Sequence, residues 1–295
     1  MERPICIMAA LENELREVLS HLTIERVERY GMSKFYRGSL DGRPVVAVET
    51  NWGVVPATMA AMSAVMHFQP SAILVTGISG ALAEGMNRGD VVIVDATCNH
   101  NFEMFSTAGR HPLPIPYYDQ LGRWQALRRV ASDPRLVELA LQAARAKGLP
   151  LASEVIDQQA QPGSRKVWIG ASAAGEVMAF ERQERQRLAQ AYEAIAVDME
   201  TIGEAHVALT FGIPYLAIRQ ISDDIFDEMA YEETRWPALT DQTNLHYTAD
   251  ELAQIAAGSP QTWQSQTAVV FDHQTSWAVT AAHLVLEVAR LWSPR

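Results

Sequence analysis

Six carboxylates mark where this sequence has the means for chemistry. Asp198 and Glu200 follow the short apolar run 195–197, Asp223 and Asp224 follow the run 215–218, and Glu12 and Glu14 open a helical stretch behind the run 5–10. Apolar runs of this length, bounded by turn residues, read as buried strands. Between the two later runs, residues 201–211 carry Ile202, Ala205 and Leu209 at helical spacing, and Gly212-Ile213-Pro214 stops the pattern. A strand–helix–strand unit predicts parallel strands, whose carboxyl ends share the sheet edge at which open α/β sheets bind ligands. The four later acids are therefore expected in one pocket. Pattern alone also allows plainer roles: strand-end acids sit in solvent, and Glu12 and Glu14 suit the positive end of a helix dipole.

The elements that must position these acids follow from the rest of the chain. After the strand at 5–10 comes a helix at 11–22. Runs at 35–40 and 44–50, joined by Asp41-Gly42, predict a hairpin. A helix is expected at 56–68, strands at 72–76, 91–95 and 167–171, and a helix at 134–147. Residues 96–123 show little periodicity and read as a lid or a disordered loop. The highly charged stretch 181–192 reads as a helix with a solvated face. Residues 225–276 give no clear pattern, and 277–291 close the chain as an amphipathic helix. Strands alternating with helices, plus one hairpin, predict a single three-layer α/β/α domain with a mixed central sheet over 1–295, interrupted by an insertion at about 225–276.

Composition narrows the function classes. A net charge of −11 and a pI near 5.2 argue against a nucleic-acid partner, which requires basic patches. No apolar run approaches a membrane span, the first ten residues are too short for a signal peptide, and the two cysteines make no disulfide framework, so a cytoplasmic protein is expected. There is neither a G-x-G-x-x-G nor a Walker loop, so a nucleotide cofactor lacks its phosphate cradle. Gly77-Ile78-Ser79-Gly80-Ala81 superficially matches a nucleophile elbow, but no helical stripe follows it. A small-residue loop offering backbone N–H groups is the better reading, and Ser79 is not expected to be a nucleophile. The eight histidines are scattered without H-E-x-x-H; His206 reads as a core histidine or one supporting a ligand-binding residue and not as a ligand itself, and no metal or other cofactor is expected.

The pattern A-V-D-M-E-T followed by G-I-P-Y-L-A-I-R-Q-I-S-D, with A-A-L-E-N-E at 9–14, V-T-G-I-S-G at 75–80 and R-G-D-V-V at 88–92, resembles the nucleoside phosphorylase/nucleosidase superfamily. It is most similar to the methylthioadenosine/S-adenosylhomocysteine nucleosidase branch. The resemblance runs over about 5–224 and leaves 225–276 uncovered. It implies a purine nucleoside N-ribohydrolase acting on methylthioadenosine, S-adenosylhomocysteine or a related 5′-substituted adenosine, and a homo-oligomer, dimer or larger. Asp223 would protonate N7 of the leaving base. Glu200 would hold the ribose hydroxyls with Met199 packed on the sugar. Glu14, assisted by Arg219, would activate the attacking water, while Ser79 and Gly80 would line the sugar and base.

These residue types suit the reaction. Breaking an N-glycosidic bond passes through an oxocarbenium-like state, in which one acid helps the base depart and another carboxylate favours the cationic sugar and positions water. Phosphorylases of the superfamily hold phosphate with an arginine just before the glycine motif, where this chain has Val75, and an early glutamate repels phosphate. Water is the expected nucleophile; a phosphorylase and a non-catalytic nucleoside-binding protein are the alternatives. Two departures stand out. Ile78 occupies the place of a usual serine, and the family segment S-G-D-A-F-I, whose aromatic stacks on adenine, is replaced by Ser172–Met178. The stacking position then falls on Glu176 or Val177, and a glutamate there would accept from a purine N–H or simply sit on the surface. Phe102–Phe105, with Phe105 among the expected site residues, and the insertion at 225–276 are candidates for the 5′-substituent pocket or for an oligomer contact.

Overall fold

The computed structural model describes residues 2–154, 165–223 and 278–294. Its strands are β1 (Ile5–Ala9), β2 (Thr23–Tyr30), β3 (Ser33–Leu40), β4 (Arg43–Glu49), β5 (Ala72–Ala81), β6 (Val91–Asn99), β7 (Glu103–Ser106), β8 (Gly109–Pro112), β9 (Ile115–Tyr118), β10 (Trp124–Leu127), β11 (Val130–Ala131), β12 (Val167–Ala174), β13 (Ala194–Asp198) and β14 (Tyr215–Asp223). Its helices are α1 (Glu12–Ser20), α2 (Val54–Phe68), α3 (Pro134–Ala146), α4 (Arg182–Tyr192), α5 (Thr201–Phe211) and α6 (Val279–Leu291). Ten strands form one mixed sheet, and helices cover both of its faces. Side-chain alternation along β1 divides the core. Ile5, Ile7 and Ala9 join α1, α3 and α6 on one face; Cys6 and Met8 join α2 and α5 on the other. The expected three-layer mixed α/β architecture is what forms.

Several boundaries move outward. The hairpin at Asp41-Gly42 forms as β3–β4, but β2 precedes it as an antiparallel edge strand. Its sequence, TIERVERY, hides a strand because an edge exposed to solvent carries charges on both faces. Residues 96–123 are not irregular throughout. β6 runs on to Asn99, and two small hairpins, β7–β8 and β9–β10, follow. The expected loop at 77–81 is instead the second half of β5. Asp224, Trp277 and the segment 225–276 lie outside the described residues. No helix among those described is long and apolar enough to cross a membrane.

The parallel pairing expected across α5 is not what forms. β14 lies between β5 and β6, parallel to the first and antiparallel to the second, while β13 meets the far end of β5 in antiparallel register. With β12 bridging β6 and β13, the strands β5, β14, β6, β12 and β13 close into a ring. Five-strand closure demands sharp bending, which register shifts after Gly170 and Ile221 provide. The acids still converge, for a different reason. Val197 of β13 and Asp223 of β14 both pair with Gly80, one on each side.

Candidate active site

Around Gly80 opens a cavity of about 690 Å³, the open space at its mouth included. Ala10, Leu11 and Glu14 reach it from the start of α1, Ile78–Gly80 from β5, Arg219, Ser222 and Asp223 from β14, and Asp198–Glu200 from the turn into α5. Of the ten residues expected at the site, eight line it: Glu14, Ser79, Gly80, Val177, Met199, Glu200, Arg219 and Asp223. Glu176 and Phe105 do not.

Each acid is held by donors of which at least one lies far away in sequence. Glu14 reaches back to the N–H of Leu11 (3.0 Å) with one oxygen and takes the N–H of Ile78 (2.8 Å) with the other, so it is pinned by its own helix start and by β5. Glu200 accepts from the Gly53 N–H (3.1 Å) and from Arg219 Nη2 (2.9 Å). Arg219 is buried in β14 and also donates to Ser79 Oγ (3.2 Å). Burial raises the Glu200 carboxyl to about 7; the arginine opposes this, and the negative charges of Asp198 and Glu14 add to it. Burial alone would depress the Arg219 guanidinium, but Asp198, Glu200, Glu14 and Glu204 around it outweigh that and raise it.

Asp198 is structural. Its Oδ1 accepts from the N–H groups of Glu200 (3.0 Å) and Thr201 (2.9 Å), and its Oδ2 from Ser172 Oγ (2.5 Å) and Thr201 Oγ1 (2.9 Å). It satisfies the exposed amides at the start of α5 and fixes the turn that carries Met199 and Glu200. Asp223 accepts from Ser222 Oγ (2.5 Å) on one oxygen and from Arg185 Nη2 on the other.

Arg185 corrects the reading of α4 as a solvated face. It is 1% exposed, bonds to the Ala179 carbonyl as well as to Asp223, and lies over the Phe180 ring with Cζ 5.4 Å from the centroid. Phe180 itself lines the cavity, with Trp52 and Met178. Phe180, three residues past Val177, and Trp52 are the aromatic residues of the cavity lining, while Glu176 is engaged elsewhere. The Glu176 side chain accepts from the Val55 N–H (3.0 Å), capping α2, and its own N–H bonds to Asn101. Phe105, on β7, is 70% exposed under the Arg110 guanidinium and stands outside the cavity. Ser79 is buried in mid-strand with its hydroxyl on Arg219, which is no nucleophile elbow.

Taken together, a ringed mixed sheet with acids and two ion-paired guanidiniums around one small-molecule cavity defines a phosphorylase-type α/β/α protein. The family model of the phosphorylase superfamily matches residues 4–254, and the chain belongs to that superfamily. It is 27% identical over 220 residues, 74% of this chain and 86% of the relative, to a 5′-methylthioadenosine/S-adenosylhomocysteine nucleosidase of Staphylococcus aureus. Among solved structures it resembles the nucleosidase of that name from Neisseria meningitidis in complex with methylthio-immucillin-A (TM-score 0.69, 20% identity, 99% and 100% of the two chains). It also resembles a futalosine hydrolase of Helicobacter pylori (TM-score 0.65, 17% identity, 98% and 96% of the two chains).

Proposed function

We propose that this chain is a purine nucleoside N-ribohydrolase whose substrate is methylthioadenosine, S-adenosylhomocysteine or a related 5′-substituted adenosine. The curated relative, a nucleosidase for the first two compounds, supports the substrate class. The observation that carries the hydrolytic reading is the pairing of the cavity's two arginines: Arg219 is bonded to Glu200 and Arg185 to Asp223, and Glu14 stands beside them. An anionic phosphate entering there would meet carboxylates on every side.

In this reading Glu200 keeps two lone pairs for the ribose hydroxyls beyond the two bonds it already makes. The C1′–N9 bond breaks with its electron pair going to the purine, and Asp223, having taken a proton from solvent in exchange for its pairing with Arg185, delivers that proton to N7. Water adds its oxygen to C1′ and passes its proton to Glu14. The surplus of carboxylates stabilises the positive charge that grows on the sugar. Phe180 and Val177 flank the base, and Met199 packs on the ribose.

Incubating the protein with methylthioadenosine, S-adenosylhomocysteine and adenosine, with and without phosphate, tests this. Free adenine is expected without phosphate, and release that strictly needs phosphate would overturn the hydrolase. Asp223→Asn is expected to lower kcat by roughly 10²–10⁴, the usual worth of a general acid. Retention of near-full activity removes that role.

A further inference from the structure

On the far end of α1 from the cavity, three side chains from two helices converge. Glu17 on α1 and His21, which caps its C-terminus, are one turn apart and so share a face, and His283 reaches them from α6, 266 residues after Glu17. Glu17 Oε1 lies 3.1 Å from His21 Nε2 and 2.7 Å from His283 Nε2, and the three atoms all lie within 4.8 Å of one another. Both imidazoles turn Nε2 toward Glu17 Oε1, and their rings sit edge to face, 5.8 Å apart at 73°.

We propose that Glu17, His21 and His283 form a binding site for a divalent transition metal ion of the zinc class. Bonds of about 2.0–2.1 Å in tetrahedral geometry set donor atoms roughly 3.3 Å apart; the two spacings from Glu17, 3.1 and 2.7 Å, fall on the lower side of that value, and the two histidine nitrogens lie within 4.8 Å of each other. Two neutral imidazoles and one carboxylate suit zinc, cobalt or nickel, whereas magnesium and calcium take oxygen donors. All three side chains are partly exposed, at 31%, 40% and 38% for Glu17, His21 and His283, which leaves an entry path and room for water at the remaining coordination positions. The ion clamps α1 to α6 one turn away from Glu14. It takes no part in the reaction proposed above, and the two readings stand or fall separately.

The test uses the full-length untagged chain, stripped with a chelator. Titration with Zn²⁺ is expected to saturate at one equivalent and to raise Tm, Co²⁺ to give visible absorption bands of a low-symmetry site, and Mg²⁺ to do neither. His283→Ala and His21→Ala are each expected to weaken Zn²⁺ binding by more than the roughly 10–100-fold typical of losing an outer-sphere partner. In both variants adenine release by the metal-stripped protein is expected to be unchanged. Should one variant fail to fold, the other carries the same measurement, since they lie on different helices. Absence of saturable Zn²⁺ binding, unaltered affinity in the histidine variants, or an equal Tm rise with Mg²⁺ would overturn the site, and a simple Glu–His ion pair would then account for the cluster.

Discussion

At Gly77 the backbone takes φ +149, and a Cβ built there would lie 2.6 Å from Arg219 Nη1 and 2.7 Å from Glu14 Oε1. The residue's worth is the space it leaves for two charged groups to approach the chain. Gly77→Ala is therefore expected to push Glu14 off the Ile78 amide, lowering kcat by about 10²-fold while circular dichroism stays native. An effect confined to KM would show that Glu14 does not position the nucleophile. Residue-scale legibility depended on ordered motifs. Glu14, Glu200, Arg219 and Asp223 stand in motifs and fall together in the cavity. Arg185 did not stand out, because in ERQERQRLAQAY a buried arginine is spelled like an exposed one, and only its partner, 38 residues away, sets it apart. Phe180 does not stand out for a related reason: its place in the cavity depends on the path of the segment after β12, where Glu176 caps α2, and spacing along the chain does not give that path.

At the scale of elements, α5 carries a cost that its apolar pattern conceals. Glu204, one turn after Glu200, is wholly buried, and neither of its carboxylate oxygens has a hydrogen-bond partner among the described residues. Burial raises its pKa well above 4.5, with Arg219 opposing and the carboxylates of Glu200, Asp198 and Glu14 adding to the rise. Between the ordinary carboxylate range and this raised value, the folded chain keeps a proton that the unfolded chain has lost. Stability therefore falls as pH rises through that window, by up to about 1.4 kcal/mol per pH unit for this one group. Glu204→Gln has no such proton to lose. Urea unfolding at about pH 5 and about pH 8 is expected to show the variant gaining on the wild type as pH rises; parallel curves would mean Glu204 ionises normally. The closed ring of strands was likewise out of reach of the sequence. Run length and composition locate β13, α5 and β14, but which strands lie between them depends on long-range pairing and on bends at Gly170 and Ile221.

The molecule as a whole brings its two ends together behind the cavity. Gln220, next to Arg219 on β14, accepts the Thr280 N–H (2.9 Å) with Oε1, and Arg43 donates to the carbonyls of Ala289 (3.0 Å) and Arg290 (2.6 Å), so α6 is tied at its first and last turns. Between these ties Leu284, Val285 and Val288 fill the core shared with α1 and α3. Trp292, 1% exposed, closes it, with the Arg135 guanidinium 4.6 Å from its ring. Removing so large a buried ring costs about 3–5 kcal/mol, much of an ordinary domain's net stability. Trp292→Ala is thus expected to shift the urea midpoint sharply downward. No α6 side chain lines the cavity, so the KM for nucleoside of the fraction that remains folded is expected to stay at the wild-type value. A changed KM with an unmoved midpoint would mean that α6 acts on the site through α1 and β14 and not as a common support beneath them.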